Sequence, residues 1–304
     1  MKAIVCTKYG PPEVLQLKEV NKPKPKDNEI LIKIIATTVT ASDCIVRGFK
    51  VPMAFWFPMG IAIGFGKPRR PILGMVLAGE VEMVGKKVKS FKKGDHVFGC
   101  DFDRFVFGMY AEYVCFPENG TITLKPANLS FNEAVAIPFG GLLALHFLKK
   151  GNIQAGQNIL IYGASGAIGT LAIQLAKYFG AEVTGVCSKL NLELVKSLGA
   201  DSVIDYKKED FTTNGKLYDF IFNAVGKNKA KLNCKKSLKA NGKHITVDDG
   251  TPKVRIEDLN LLKKLAEKGI IRPVVDRLYP LEQIVDAHSY VDNGHKKGNV
   301  IITI

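Results

Sequence analysis

The chain has 304 residues, of which 46% are hydrophobic and 24% are charged, so it is long enough for two globular domains of ordinary composition. Its net charge is +14, but only seven of the 43 cationic residues are arginines and no arm interleaves Arg with aromatic residues, so nucleic-acid binding is not expected. The six cysteines form no C-x-x-C pair. They indicate neither a disulfide framework nor a zinc–cysteine site, and they predict a reducing, cytoplasmic location.

Membrane insertion is not predicted, because no uncharged apolar run reaches about 18 residues. The chain starts directly with an alternating strand pattern, so we expect no secretory signal. The nearest approach to an apolar span is Val51–Gly66, which lies between Lys50 and Lys67 and is interrupted by prolines and glycines.

The first 122 residues are predicted to be mostly β, because short apolar runs alternate with Gly-, Pro- and Lys-rich turns. The runs are Ile30–Ile35, Leu77–Val84, His96–Phe98 and Ala111–Phe116.

The pattern changes near residue 130, where Ser130 and Glu133 form a capping box that predicts a helix over Phe131–Lys149. Strands and helices then alternate, which predicts a doubly wound parallel sheet with helices on both faces. The predicted strands are Ile159–Tyr162, Glu182–Cys187, Ser202–Asp205, Asp219–Ala224, Lys243–Val247 and the terminal Gly298–Ile304. The predicted helices are Ile168–Phe179, Leu190–Leu198, Lys229–Lys239 and Glu257–Glu267.

A glycine-rich turn joins the first of these strands to its helix. Ala164, Gly166 and Gly169 occupy the G-x-G-x-x-G frame with alanine at its first position, and Gly163 supplies flexibility one residue earlier. Because the turn follows a strand and opens a helix, we expect it to bind the pyrophosphate of a dinucleotide. The expected contacts come from Gly163, Ala164, Ser165, Gly166, Ala167, Ile168 and Gly169.

The end of the next strand favours NADPH over NADH. An NAD site usually has an acidic residue here for the ribose hydroxyls, whereas this chain has Ser188 and Lys189, which can donate to a 2′-phosphate. Tyr206, just past the third strand, is expected to cover the adenine or reach that phosphate. The alternatives are a solvated surface lysine at 189 and a packing aromatic at 206.

Several stretches together resemble the medium-chain dehydrogenase/reductase superfamily, and within it the zinc-free quinone oxidoreductase and alkenal/enone reductase branch. The resemblance covers nearly the whole chain. The matching stretches are Met1–Val5, Tyr9–Leu15, Gly94–Gly99, Tyr110–Val114, Gly163–Gly169, Leu198–Asp201, Val203–Tyr206 and His295–Val300.

The resemblance implies an α/β fold with two domains. A GroES-like β-barrel catalytic domain would comprise residues 1–122 and be completed by 272–304, a Rossmann domain would comprise 123–271, and the active site would lie in the cleft. Gly74, Gly79 and Gly85 keep the glycine frame of the zinc-dependent relatives, but Met75 and Val76 occupy the places of their ligating His and Glu. The place of their ligand cysteine is Thr40, and such a donor set cannot hold zinc.

The function implied is hydride transfer from NADPH to a small electrophilic acceptor, a conjugated enal or enone or a quinone, without zinc. Thr40 is the candidate catalytic residue, a donor to the substrate carbonyl. The alternative is a structural β-strand threonine that makes a local hydrogen bond. Gly140, Val225 and Gly226 are expected to contact the cofactor, with helix packing and a plain strand-end turn as their alternatives. The expected substrate wall is formed by Phe55, Trp56, Phe57 and Phe65.

Two questions stay open at this level. A non-catalytic NADPH-binding or membrane-associated regulatory protein is the alternative function, and the 51–66 stretch is the candidate for membrane contact, which we do not favour. Only Asp248–Ile256 separates the strand ending at Val247 from the next helix, about twenty residues fewer than in relatives. Homodimer and monomer are therefore both open.

Overall fold

The computed structural model describes residues 1–51, 53–102, 107–227, 230, 233–250, 252–294 and 296–304, except for the side chains of Ala54 and Phe55. The chain divides into two compact units: unit 1 is Met1–Pro138 with Val275–Ile304, and unit 2 is Phe139–Val274. The boundaries expected from the sequence were 122/123 and 271/272. Unit 1 extends past residue 122 because the strand Ile122–Leu124 pairs with the strand His96–Cys100.

The first part of unit 1 is mostly β with two helices between strands. Its elements in chain order are β1 (Lys2–Cys6), β2 (Leu15–Glu19), β3 (Glu29–Val39), α1 (Ala41–Gly48), α2 (Met53–Ile63), β4 (Val76–Val84), β5 (His96–Cys100), β6 (Tyr113–Pro117), β7 (Ile122–Leu124) and α3 (Phe131–Ala134).

Unit 2 alternates strands and helices. Its elements are α4 (Pro138–Gly151, whose first residue belongs to unit 1), β8 (Asn158–Tyr162), α5 (Ala167–Tyr178), β9 (Glu182–Cys187), α6 (Leu192–Ser197), β10 (Ser202–Asp205), β11 (Tyr218–Asn223), β12 (Leu238–Thr246) and α7 (Ile256–Glu267). The chain then returns to unit 1 with β13 (Val275–Pro280), α8 (Ile284–Asp292) and β14 (Asn299–Thr303).

The main sheet of unit 1 is built around the long strand β3. The strand order is β13-β14-β3-β4-β5-β7, and β6 also pairs with β3. The register between β3 and β4 shifts at Leu31/Ile32 and at Ile34/Ala36, a pattern typical of β-bulges. Its core is apolar, formed by Ile30, Ile32, Ile34, Leu77, Val81, Val97, Met109, Val114, Phe116 and Ile122.

The sheet of unit 2 is parallel throughout, with the order β10-β9-β8-β11-β12. Ile159, Leu160 and Ile161 of β8 are all buried, because helices cover both faces of a parallel sheet. The predicted α/β fold class, with a doubly wound parallel sheet and a second, mostly β unit, is confirmed.

Two predicted helices differ from the structure. The predicted helix over 131–149 is two helices, α3 and α4, and the second begins at Pro138, where proline fits a first helical turn. Residues 131–151 also have the length and apolarity of a membrane span, but 78% of the most apolar window is buried inside the protein, as in a core helix.

The predicted helix over Lys229–Lys239 is wrong in its described part. Cys234–Ser237 form a single 3₁₀ turn, and Leu238 already begins β12. Pairing with β11 from Tyr218 to Asn223 overrides the local helical preference of this Lys-rich segment.

Candidate functional site

The glycine turn of unit 2 has three glycines with three different steric environments. Gly163 ends β8 with φ +79°, a left-handed conformation that favours glycine. A Cβ on Gly169 would collide with the carbonyl oxygen of Gly163, so this glycine lets α5 approach the turn. A Cβ on Gly166 would meet only that same oxygen, at 3.5 Å. The fold therefore requires glycine at 163 and 169, whereas the space beside Gly166 is open to a ligand.

The N-terminus of α5 is available to an anion. Gly166 is its N-cap, with φ −81°, and no side chain among the described residues caps the helix. The first N–H groups of a helix have no partner within the helix, and the helix dipole places partial positive charge there. Gly140 packs against this turn, since a Cβ on it would collide with the carbonyl oxygen of Ala167.

The turn lies where the strand order of the sheet reverses. β8 is flanked by β9 on one side and β11 on the other, and the chain leaves β8 and β11 at Gly163 and Ala224. A Cβ on Gly163 would collide with the side chain of Val225, so the two strand ends are in contact. Open α/β sheets bind ligands at this crevice, outside the carboxyl ends of their strands.

The other predicted cofactor residues follow neighbouring strands at the same edge. Ser188 follows β9, Tyr206 follows β10, and Val225 and Gly226 follow β11. Lys189 is exposed, and Tyr206 is half exposed, with its ring 6.4 Å from that of Tyr162. The structure thus brings these residues together with the glycine turn, and their contacts with a cofactor stay a prediction.

Asn191 was missed by the sequence reasoning. Its amide Nδ2 donates to Ser165 Oγ at 3.0 Å and to Ser188 Oγ at 3.2 Å, so it ties the glycine turn to the end of β9. Its Oδ1 is buried without a hydrogen-bond partner among the described residues. Asn191 thus holds both serines beside an unused acceptor, which fits a polar ligand. The only sequence signal was an Asn preceding a helix.

Asn223 and Asp248 support the far side of the crevice. Asn223 is buried, and its Oδ1 accepts from the N–H of Val225 at 3.1 Å. The Asp248 carboxylate accepts from the N–H of Lys227 at 2.5 Å, directly behind Gly226, whose φ is +86°. These bonds hold the turn after β11 in one conformation. Neither residue stood out in the sequence. Asn223 bonds the backbone two residues on, as in many turns, and Asp248 bonds a backbone N–H 21 residues away that only folding brings near.

Thr40 of unit 1 is the N-cap of α1. Its Oγ1 accepts from the N–H of Asp43 at 3.1 Å, and its hydroxyl donates to Asp43 Oδ2 at 2.6 Å. The Asp43 carboxylate also accepts from the N–H of Thr40, which completes a capping box. The single hydroxyl hydrogen of Thr40 is therefore used inside the cap. Donation to a substrate oxygen stays a prediction, and it competes with this bond.

Asp43 is completely buried, and burial raises its pKa to about 6 against the hydrogen bonds from Thr40, which favour the charged form. Folding raises the pKa of Asp43 from 3.8, its value in the unfolded chain. The protonated side chain therefore stabilises the fold fully below pH 3.8, and this stabilisation is lost as the pH rises through about 6. We expect Asp43→Asn to remove this loss, roughly 2 kcal/mol in unfolding free energy between pH 4 and 7.

Urea denaturation at a series of pH values measures the effect as a difference between the two proteins. His288 contributes with the opposite sign, because burial, then the charge of Arg47, lowers its pKa to about 3, but it is common to both proteins. Parallel pH profiles would contradict the assignment of this slope to Asp43.

The predicted substrate wall lies at the surface of unit 1. Trp56 and Phe57 are 50% and 65% exposed, and Phe65, which packs on both rings, is also exposed. The side chain of Phe55 lies outside the described residues. A cavity of about 320 Å³ in unit 1 is lined in part by the end of α2, but Trp56, Phe57 and Phe65 do not line it. Its lining is Val46, Ala62, Ile63, Pro68, Arg69, Arg70, Leu73 and Phe107.

The positions that hold zinc ligands in metal-dependent relatives offer poor donors here. Met75 is a buried thioether, Val76 is a hydrocarbon in β4, and the Thr40 hydroxyl is already bonded. Across the part of the chain that the structure describes, no three His, Cys, Asp or Glu side chains are grouped to hold a metal ion.

Comparison with known proteins identifies the family. Residues 26–126 match the alcohol dehydrogenase GroES-like domain, and residues 167–282 match the domain family described as zinc-binding dehydrogenase. The chain is 36% identical to the 2-methylene-furan-3-one reductase of Solanum lycopersicum over 99% of its own length and 79% of that protein. It is 33% identical, with the same coverage, to the chloroplastic NADPH-dependent alkenal/one oxidoreductase of Arabidopsis thaliana.

The fold comparison agrees. The quinone oxidoreductase from Coxiella burnetii superposes with a TM-score of 0.89 at 30% identity, over 100% of this chain and 99% of that one. Together with the glycine turn and the donor-poor zinc positions, these matches confirm the resemblance found in the sequence. The chain belongs to the medium-chain dehydrogenase/reductase superfamily, in its zinc-free quinone oxidoreductase and alkenal/enone reductase branch.

Proposed function

We propose that the protein is an NADPH-dependent oxidoreductase that reduces a conjugated enal or enone, or a quinone. The observation that carries this proposal is the uncapped N-terminus of α5, which faces open space at the strand-order reversal of the unit 2 sheet. Relatives named as alkenal/one and furanone reductases support the type of acceptor.

Different residues of unit 2 are proposed to bind different parts of the cofactor. We propose that the N–H groups of Ala167, Ile168 and Gly169 bind the pyrophosphate, since these lie in the uncapped first turn of α5. Ser188 and Lys189 donate to the 2′-phosphate, and Tyr206 covers the adenine. Gly140, Val225 and Gly226 contact the nicotinamide end, and Ala164 and Ser165 line the turn.

When bound, NADPH supplies a hydride to the electron-poor carbon of the acceptor. Reduction of an enone then leaves an enolate oxygen, and one proton must be added to give the saturated product. We propose that this proton comes from water, because the Thr40 hydroxyl is committed to Asp43 whenever that carboxylate is charged.

The acceptor is proposed to bind in the cavity of unit 1, in place of the aromatic wall expected from the sequence. Its volume of about 320 Å³ lies at the lower end of the range for small-molecule sites, and most of its lining is apolar. Leu73, which lines the cavity, is two residues from Met75. The cavity therefore lies near the position that holds a zinc ligand in metal-dependent relatives.

The decisive experiment is steady-state oxidation of NADPH and of NADH with a panel of enals, enones and quinones. We expect turnover with at least one acceptor class and a preference for NADPH. Binding of NADPH without turnover across the panel would favour the alternative, a non-catalytic or regulatory NADPH-binding protein.

The preference for NADPH depends on Lys189. We expect Lys189→Ala to raise the Kd for NADPH about tenfold and to leave the Kd for NADH unchanged, because a charge-assisted bond to phosphate contributes about 1.5 kcal/mol or more. Fluorescence titration measures both constants. Lys264→Ala, an exposed lysine of the same unit on α7, is the matched control. An equal loss for both cofactors would show that Lys189 does not contact the 2′-phosphate.

We keep the cytoplasm as the proposed location, although one of the relatives described above is named as chloroplastic. Imaging of the full chain with a C-terminal tag tests it, and organellar fluorescence would overturn it.

A further inference from the structure

The outer face of α2 is an exposed apolar surface that the proposed function does not use. Met53, Phe57 and Ile61, spaced four residues apart, are 92%, 65% and 50% exposed, and Trp56 lies beside them. Gly60 and Ile63 face inward and are buried. Side chains at i, i+4 and i+8 share one helix face, so these residues form a continuous apolar stripe in solvent.

This helix is fixed in place on its inner side. The Tyr9 hydroxyl lies 3.0 Å from the carbonyl oxygens of both Ile63 and Gly64, at the end of α2. A chain of ring contacts runs from Tyr9 through Phe49 and Trp56 to Phe65, with centroids 4.7 to 5.9 Å apart. The stripe is therefore presented outward by a supported element.

The charged residues in the chain segment that contains α2 are all cationic. No Asp or Glu occurs between Asp43 and Glu80, whereas five Lys or Arg residues do. Arg47 is buried, but Lys67, Arg69 and Arg70 follow α2 directly and are exposed. An apolar face with a cationic border is complementary to a bilayer with anionic headgroups and an apolar interior.

We propose that α2 docks the protein on a bilayer containing anionic lipids, with Met53, Phe57 and Ile61 in the interface and Lys67, Arg69 and Arg70 at the headgroups. The helix has 11 residues, or about 16 Å, roughly half the hydrocarbon thickness, so it lies in the interface and does not span the bilayer. This inference reverses the expectation from the sequence, which did not favour membrane contact by residues 51–66, because the structure shows the apolar stripe exposed. It does not depend on the proposed enzymatic activity.

Trp56 makes the test specific, because it is the chain's single tryptophan. The probe is a vesicle of phosphatidylcholine with 20–30% phosphatidylserine, roughly the anionic content at which a polybasic surface binds, compared with vesicles of phosphatidylcholine alone. We expect the protein to float with the anionic vesicles, with at least about tenfold tighter binding than to neutral ones. We also expect the Trp56 emission to shift to the blue and to be quenched by brominated acyl chains.

Two double variants and their controls separate the apolar and electrostatic contributions. Met53→Glu/Ile61→Glu is expected to abolish flotation, and Lys67→Glu/Arg69→Glu to weaken it at least about tenfold. Leu278→Glu places a charge on an exposed leucine of β13, and Lys24→Glu/Lys86→Glu makes the same charge change elsewhere in unit 1. Both control proteins are expected to bind as the parent does.

Three results would overturn the proposal. The first is absence of binding to anionic vesicles, and the second is unchanged binding by both α2 variants. The third is a protein that does not bind vesicles and forms a dimer in light scattering, where Met53→Glu/Ile61→Glu dissociates the dimer. The stripe would then bind a second copy of the chain. Circular dichroism of each variant confirms that loss of binding is not loss of fold.

Discussion

Gly166→Val is expected to weaken NADPH binding about 100-fold while the protein stays folded. A valine side chain here would extend over the first turn of α5, in the space proposed for the pyrophosphate. Losing two hydrogen bonds to a charged group costs about 3 kcal/mol, which corresponds to roughly two powers of ten in Kd.

The fold tolerates this substitution for two reasons. Gly166 has φ −81° and ψ 174°, which valine adopts readily, and a Cβ would meet only one atom, at 3.5 Å. Loss of a favourable N-cap costs about 1 kcal/mol. Fluorescence titration with NADPH and thermal unfolding, measured on the same sample, separate affinity from stability.

Gly169→Ala is the contrasting variant. Its Cβ would collide with the carbonyl oxygen of Gly163 and lie 2.8 Å from the Ala164 backbone, so a destabilisation of about 1–3 kcal/mol is expected. Parent-like NADPH affinity in Gly166→Val would place the pyrophosphate away from α5. If that variant is unfolded by circular dichroism, Gly166→Ala takes its place in the titration.

Arg47→Met is expected to destabilise unit 1 by about 3 kcal/mol. Arg47 is fully buried, and its guanidinium makes three polar contacts. Nε donates to the Gly10 carbonyl at 3.2 Å, Nη1 donates to His288 Nδ1 at 3.0 Å, and Nη2 pairs with Asp292 Oδ2 at 2.5 Å. His288 can accept because it is neutral, with its pKa lowered to about 3 by burial and then by Arg47 itself.

The substitution removes the Arg47 donor from the Gly10 carbonyl and from His288 Nδ1, and it leaves Asp292 with Lys50 as its ion-pair partner, at 3.8 Å. It also removes two of the polar contacts that join α1 to α8. The Asp292 side chain is 25% exposed, so water solvates it in part and the cost stays at the lower end of the 3–5 kcal/mol typical of broken buried pairs. Urea unfolding followed by Trp56 fluorescence reports on unit 1, which contains this tryptophan.

Lys2→Met is the matched control. Lys2 pairs with Glu282 in the same unit, but both side chains are about half exposed, and such pairs contribute less than about 1 kcal/mol. Equal effects of the two substitutions would mean that the buried contacts of Arg47 contribute no more than a surface pair. Arg47→Met/Asp292→Leu is expected to recover part of the loss, because the carboxylate then no longer lacks its partner.

Local sequence signals were reliable wherever the backbone itself determined the structure. The glycine spacing after β8 reflects a left-handed turn at Gly163 and a close approach at Gly169, both of which are steric requirements on single residues. The Ser130–Glu133 capping box is present because its two bonds join residues only three positions apart. Strands β9 and β10 have the predicted bounds.

Signals failed where a distant segment decided the outcome. Residues 238 and 239 form part of a strand because β11 lies beside them. The sequence of the Lys-rich segment contains no signal for this pairing. The exposed stripe of α2 is likewise decided by distant residues, because Tyr9 and Phe49 pack on the other side of the helix.

The sequence by itself determined the family, the parallel sheet with its glycine turn, and the lack of zinc-ligand residues at 40, 75 and 76. Each of these depends on residue identity at short spacing, which the chain carries whatever surrounds it. Only the tertiary structure decided that Asp43 is buried, that Asn191 reaches Ser165 in the glycine turn, and that Arg47 is buried against α8. Each of these facts depends on burial or on a contact between segments that lie far apart in the chain, and only folding brings such segments together.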